Sequence, residues 1–105
     1  SVSLRLTPDP VSIGDALQIE VTLMADVALP VMVDYRIRFH RPNGRSGEKV
    51  FKLKTAQLKQ GMPMTLTKSH RLKGEASTFK LHPGPHQITI QINGQDRAEA
   101  GVMFV

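Results

Sequence analysis

The stretch "HQITIQINGQDRAEAGVMFV", residues 86–105, decides the fold class of this 105-residue chain. Isoleucines at positions 88, 90 and 92 alternate with polar residues, which is typical of a β-strand with one buried face. The pair Asn93-Gly94 follows directly. Asn-Gly favours a two-residue hairpin turn because both turn positions need positive φ. A second run of small and apolar residues continues to Val105, so the sequence predicts a β-hairpin here.

The same period-two alternation recurs upstream, and no amphipathic helix of useful length is indicated. Five more strand patterns occupy residues 2–6, 16–25, 32–40, 49–58 and 64–72. Turn residues such as Pro42-Asn43-Gly44 and Pro83-Gly84-Pro85 separate the strands. Residues 73–82 are the least patterned and are expected to cross between sheets. The sequence therefore predicts an all-β fold, a seven-stranded antiparallel two-sheet sandwich of immunoglobulin-like architecture, forming a single domain over residues 1–105.

Composition narrows the functional class. The chain has no cysteine, which excludes disulfides, cysteine-based zinc sites and thiol catalysis and fits a reducing, cytoplasmic location. No apolar run approaches the roughly 18 residues of a membrane span, so no membrane partner is predicted. The chain lacks an initiator Met and starts directly in a strand pattern. We therefore expect a domain excised from a longer chain.

Positive charge is concentrated in the middle of the chain. Residues 34–80 hold 12 of the 14 Lys and Arg but only three carboxylates. Alternation predicts that Arg36 and Arg38 face away from the apolar side of their strand, as do Lys52 and Lys54 on the next. If these strands pair, the four cations form one outward lattice, and a phosphate or a partner carboxylate would relieve their repulsion.

The candidate DNA-backbone-binding residues are Arg36, Arg38, Arg41, Arg45, Lys49, Lys52 and Lys54. The alternative is that they form an ordinary solvated face, because exposed strands carry Lys and Arg that prevent aggregation. Base readout is not expected, since most aromatic residues have the apolar parity of their strands. Phosphate contact would be non-specific and strongly salt-dependent.

Catalytic and metal-binding patterns are missing from the sequence. No Gly-x-Ser-x-Gly elbow, paired carboxylates or Gly-rich phosphate loop is found. The four histidines lack metal-ligand spacing, and His70, which shares the inward parity of Lys68, is expected to be a hydrogen-bonded histidine at the edge of the core. The sequence thus predicts no enzyme activity, no metal, no cofactor and no small-molecule substrate.

Several stretches together resemble a known family. They are "VDYRIRFHRPNG", "KVFKLKT", "LTKSHRL", "HPGPHQITIQINGQ" and "AEAGVMF". They are similar to the C-terminal Ig-like β-sandwich that follows the HEAT-like-repeat domain in some bacterial DNA alkylation repair proteins, the alkylpurine glycosylase family. This chain has His82 where the family has an aromatic residue, and Arg71 where it has Ser.

The resemblance implies a non-catalytic accessory domain, because the base-excision chemistry of such proteins belongs to the helical-repeat domain. It also implies two partners, DNA backbone and a helical-repeat domain in the same parent protein. A docking module without a nucleic-acid role is the alternative, with Val31, Met32, Met62 and Met64 as a candidate apolar patch. An adhesion or carrier module is a third class, which the absence of tandem repetition disfavours.

Overall fold

The computed structural model describes residues 1–40, 46–73 and 81–105, and within these ranges the chain forms seven strands and no helix. The strands are β1 (Val2–Thr7), β2 (Ala16–Leu23), β3 (Leu29–His40), β4 (Ser46–Leu58), β5 (Met64–Arg71), β6 (Gly84–Ile92) and β7 (Gln95–Phe104). Among the described residues, no helix could cross a membrane.

The strands form two antiparallel sheets. One sheet has the order β1-β2-β5 and the other the order β4-β3-β6-β7. Strands β4 and β5 are edge strands that contact each other across the two layers, and β1 and β7 do the same on the opposite side. The predicted all-β, seven-stranded, immunoglobulin-like sandwich is confirmed.

The core lies between the sheets and follows the alternation in the sequence. On β3, Tyr35 is 1% exposed and Ile37 is fully buried. On β2 and β6, Leu17, Ile19, Ile88 and Ile90 are fully buried. Each fully buried apolar side chain of this size contributes about 1.5–3 kcal/mol of transfer free energy. This burial is the main force that joins the two sheets.

The hairpin predicted at Asn93-Gly94 is confirmed. Ile92 pairs with Gln95, and the two turn residues have φ of 51° and 83°, which suits Asn and Gly. The Asn93 side chain also accepts a hydrogen bond from the Met32 N–H at 2.8 Å, so it anchors the turn to β3. The turn predicted at residues 83–85 is partly wrong, because β6 already begins at Gly84.

Two other predicted connections cannot be compared with the structure. The Pro42-Asn43-Gly44 turn lies outside the described residues, as do residues 74–80 of the predicted crossover. The flanking strands are nevertheless in register, since β3 pairs with β4 from His40↔Ser46 to Leu29↔Leu58. A register shift between Val33 and Asp34 interrupts this ladder.

Candidate nucleic-acid interface

The outward arginines of β3 are already engaged with carboxylates. Arg36 donates from Nη2 to Asp96 Oδ2 at 2.8 Å, and its Nε lies 3.6 Å from Glu48 Oε2. Arg38 donates from Nε and Nη2 to Glu48 Oε1, at 3.0 and 2.9 Å. The relief of charge repulsion that the sequence led us to expect thus comes from carboxylates within the chain itself.

These ion pairs shift the pKa values of the side chains that form them. The hydrogen bond from Arg36 lowers the pKa of Asp96, and the amide of Gln91, which donates to Asp96 at 3.0 Å, lowers it further. The same Asp96 contact raises the pKa of Arg36. Sequence reasoning missed Asp96, because only the β3-β6-β7 strand order brings it beside a residue 60 positions away.

The lysines of β4 are placed differently from the arginines. Strands β3 and β4 do pair as neighbours, with Lys52 opposite Asp34 and Lys54 opposite Val33 on either side of the register shift. Both lysines are exposed. Lys54 lies opposite Val33, whose side chain is fully buried, so the register shift gives Lys54 inward parity at this edge of the sheet. The predicted outward lattice of four cations is therefore wrong at Lys54. Of the other candidates, Arg41 and Arg45 lie outside the described residues.

Lys49 belongs to the other side of the sheet. It lies opposite Ile37, whose side chain is fully buried, so Lys49 has the inward parity of β4. Its Nζ lies 5.3 Å from the centre of the Phe51 ring, within cation–π range. Because β4 is an edge strand, this inward position remains exposed at the side of the sandwich.

A second pair of basic residues faces the same opening from β5. His70 lies opposite Leu17 and Lys68 opposite Ile19, both fully buried, so both basic residues have inward parity on an edge strand. The contacting edge strands β4 and β5 therefore bring Lys49, Lys68 and His70 together at one side of the sandwich, close enough for both lysine charges to act on His70. We call this region the edge cleft.

Aromatic rings form the floor of the edge cleft. Tyr35 stacks on Phe51 with ring centres 5.2 Å apart, and His70 meets Phe51 edge-on at 4.7 Å. The Tyr35 hydroxyl lies 2.6 Å from His70 Nδ1. The predicted hydrogen bond of His70 at the edge of the core is thereby confirmed.

The cleft also perturbs its ionisable groups. Burial raises the pKa of Tyr35 to about 12. Burial lowers the pKa of His70, and the positive charges of Lys68 and Lys49 lower it further. At neutral pH both groups are therefore uncharged, and the positive charge of the cleft resides on the two lysines.

A separate pair of histidines, His40 and His86, lies where β3 ends and β6 begins. His86 is 2% exposed, stacks on Phe104 at 3.7 Å and bonds through Nδ1 to the Gly84 carbonyl oxygen at 3.0 Å. The ring of His40 lies 6.3 Å away. Within the ranges that the structure describes, no group of three or more His, Asp or Glu side chains could hold a metal ion.

Comparison with known proteins gives both a family and a fold. The family model described as "Uncharacterised protein YhaZ, C-terminal Ig-like domain" matches residues 1–105. The chain is 26% identical over 92 residues to the uncharacterized protein YhaZ of Bacillus subtilis (strain 168), covering 88% of this chain and 26% of that protein.

Among solved structures, a Pseudomonas fluorescens alkylpurine DNA glycosylase, AlkC, bound to DNA containing an abasic site analog, superposes with a TM-score of 0.89 and 26% identity. The match covers 99% of this chain and 30% of the glycosylase chain. A β-glucosidase from Listeria innocua superposes with a TM-score of 0.73 over 100% of this chain and 16% of its own, at 16% identity, and shares the fold alone.

These matches agree in extent as well as in fold. The chain spans about a quarter of the Bacillus protein and under a third of the glycosylase chain, so in both cases it corresponds to one part of a longer polypeptide. The family model and the structural match thus confirm the predicted resemblance to the C-terminal Ig-like domain of alkylation repair proteins. The chain belongs to the family of YhaZ C-terminal Ig-like domains.

Proposed function

We propose that this chain is a non-catalytic accessory domain that adds non-specific DNA-backbone contacts to a longer, cytoplasmic DNA alkylation repair-like protein. The observation that carries the proposal is the superposition, at a TM-score of 0.89, on part of a glycosylase whose structure contains DNA. The proposed partners are the DNA backbone and a helical-repeat domain of the same polypeptide.

The distribution of charge supports phosphate contact through β4. Within the described residues, none of Lys49, Lys52 and Lys54 has a carboxylate at ion-pair distance, whereas Arg36 and Arg38 both do. A carboxylate offsets the charge of its arginine and occupies part of its hydrogen-bonding capacity, whereas an unpaired lysine keeps its full charge for phosphate. The three lysines therefore carry most of the proposed contact, and the two arginines add less.

An alternative proposal is a docking module, which one apolar end of the sandwich favours. Ser1, the ends of β2 and β4 and the start of β3 surround a cavity of about 410 Å³ there. Several large apolar side chains are exposed nearby, namely Met24, Val27, Met32 and Met62. The expected patch is only partly right: Met32 and Met62 are 43% and 57% exposed, but Val31 is 3% exposed and belongs to the core.

Fluorescence anisotropy tests the main proposal. A labelled duplex of random sequence is titrated with the 105-residue chain at low and near-physiological salt. We expect micromolar binding that weakens steeply with salt, because backbone contacts release counterions. The double variant Lys52→Gln/Lys54→Gln should lose more of the affinity than Arg36→Gln/Arg38→Gln does.

The matched control removes two positive charges elsewhere. Arg5 and Lys59 are exposed and lie on β1 and just after β4. An Arg5→Gln/Lys59→Gln variant should bind nearly as the parent does. No binding at low salt, with every variant folded, would contradict the nucleic-acid role and leave docking as the better explanation.

A further inference from the structure

The edge cleft holds basic groups of inward parity from two facing strands, and no described carboxylate neutralises its two lysines. Among the residues described, the ion pairs involve Arg36, Arg38, Glu48 and Asp96, and none involves Lys49 or Lys68. Inward-pointing charges on edge strands can serve simply to block edge-to-edge pairing. Blocking edge-to-edge pairing, however, does not require basic residues on two facing strands, and it does not require a histidine beside the lysines.

The hydrogen bond between Tyr35 and His70 bears on which ring nitrogen of His70 carries the proton. The Tyr35 side chain is 1% exposed and its hydroxyl stays protonated, so it can donate to His70 Nδ1 at 2.6 Å. A neutral imidazole that accepts at Nδ1 carries its proton on Nε2. We assign His70 this tautomer, in which Nε2 is the donor, on a ring that is only partly buried.

The aromatic floor holds these donors in place. The three rings contact one another: Tyr35 stacks on Phe51 at 5.2 Å, and His70 meets Phe51 edge-on at 4.7 Å and Tyr35 edge-on at 5.6 Å. The Nζ of Lys49 lies 5.3 Å from the Phe51 ring. Two point charges and one N–H donor, around a rigid apolar base, suit an oxyanion with several acceptor oxygens.

We propose that the edge cleft binds a phosphate group, held by the ammonium groups of Lys49 and Lys68 and the Nε2–H of His70. This inference rests on the proposed function, in which the phosphate belongs to a nucleic-acid backbone. It goes further by assigning the contact to the side of the sandwich between β4 and β5. It also adds Lys68 and His70, which lie outside the basic strand pair.

The pKa of His70 provides a readout of phosphate binding that is independent of DNA affinity. A bound anion favours the charged form of a nearby imidazole, so phosphate should raise the pKa of His70. The groups that face His70 are Tyr35 from β3, Lys49 from β4 and Lys68 from β5. None of these carries negative charge at neutral pH, so the rise would report the ligand.

The experiment is an NMR titration of the isotope-labelled 105-residue chain. Side-chain imidazole spectra give the His70 titration curve with and without inorganic phosphate, at an ionic strength held constant with chloride. A short duplex is the second ligand. The test variant is Lys49→Gln/Lys68→Gln, and the control is Arg5→Gln/Lys59→Gln, which has the same net charge.

We expect phosphate to raise the His70 pKa saturably in the parent and in the control. In the test variant, phosphate affinity should fall roughly tenfold or more, since two charge-assisted contacts are lost. The duplex should shift the same signals. Equal losses in the test and control variants would overturn the cleft in favour of a simple net-charge effect.

Two further outcomes separate this inference from the proposed function. Duplex binding without any change at His70, with either ligand, would overturn the edge cleft and leave the proposed function standing. Saturable phosphate binding at His70 without duplex binding would overturn the nucleic-acid role. It would support the cleft as a site for free phosphate.

Discussion

The Tyr35 hydroxyl joins the core to the edge cleft, and its ionisation can be followed directly. Tyr35 is the chain's one tyrosine and there is no tryptophan, so tyrosinate absorbance near 295 nm reports this residue alone. Burial raises its pKa from 10.0 to about 12. We therefore expect a titration midpoint near 12 in the folded chain and near 10 in urea. A midpoint near 10 in the folded chain would contradict the buried hydroxyl.

The same shift predicts the stability of the chain at high pH. The folded state binds the Tyr35 proton more tightly than the unfolded state does, so this contribution is complete below pH 10. It declines as the pH rises from 10.0 toward about 12. Urea unfolding over this range should show a shallower decline for Tyr35→Phe than for the parent, and parallel declines would contradict the linkage.

His86 and His70 predict a loss of stability on mild acidification. Burial lowers the pKa of both, so each imidazole is held neutral in the folded state. Their contribution is complete above the ordinary histidine pKa of 6.5 and is lost as the pH falls below it. We expect the free energy of unfolding to decrease from pH about 7.5 to about 5.5, a range above most carboxylate titration.

The control for this acid effect is His86→Phe, which keeps a ring against Phe104 but cannot gain a proton. Its free energy of unfolding in urea should depend less on pH than that of the parent. An unchanged pH dependence in His86→Phe would exclude His86 as a source of the acid sensitivity. The remaining slope would then be assigned to His70 and tested with His70→Gln.

At the scale of elements, the start of β6 depends on one glycine. Gly84 has φ of +140°, and a β-carbon placed there would overlap the His40 ring. We expect Gly84→Ala to destabilise the chain by about 3 kcal/mol or more, from backbone strain together with overpacking. Gly61, with φ of +67° and nothing within 4 Å of such a β-carbon, is the matched control. Gly61→Ala should cost about 1 kcal/mol, as strain alone.

Urea unfolding midpoints of the two alanine variants, compared with the parent, provide the measurement. An equal loss in both would mean that the His40 ring moves aside at no cost. The comparison therefore measures the combined cost of the φ of +140°, which only Gly readily adopts, and of the steric contact between the start of β6 and the end of β3.

The strands were predictable from sequence because alternation and turn residues are local signals. Ile88, Ile90 and the Asn93-Gly94 turn identify the last hairpin, and the inward parity of His70 follows from counting along β5. The partners of the charged residues were not predictable. The Arg36–Asp96 bond depends on strand order, and the Lys54 position depends on the register shift in β3-β4.

At the scale of the whole molecule, charge is divided between two surfaces. Among the described residues, the outer face of the four-stranded sheet pairs Arg36 and Arg38 with Glu48 and Asp96 and leaves Lys52 unpaired at its β4 edge, while the edge cleft holds Lys49 and Lys68 without ion pairs. Net charge of +5 alone does not distinguish these surfaces. A polyanion should respond mainly to the unpaired charges, because the carboxylate beside each arginine offsets its attraction for phosphate.

Removing the carboxylates of the outer face tests this division. In Glu48→Gln/Asp96→Asn, Arg36 and Arg38 lose their ion-pair partners and become available to phosphate. If the outer face lies near DNA, anisotropy titrations should show tighter binding than in the parent. Each new phosphate contact should steepen the dependence of log affinity on log salt by about 0.9.

The control Glu20→Gln/Asp26→Asn makes the same change in net charge on β2 and the loop after it. Equal gains in both variants would mean that only net charge matters. No gain in Glu48→Gln/Asp96→Asn, with the parent still bound through its lysines, would mean that DNA contacts the β4 side of the sandwich and leaves the outer face in solvent.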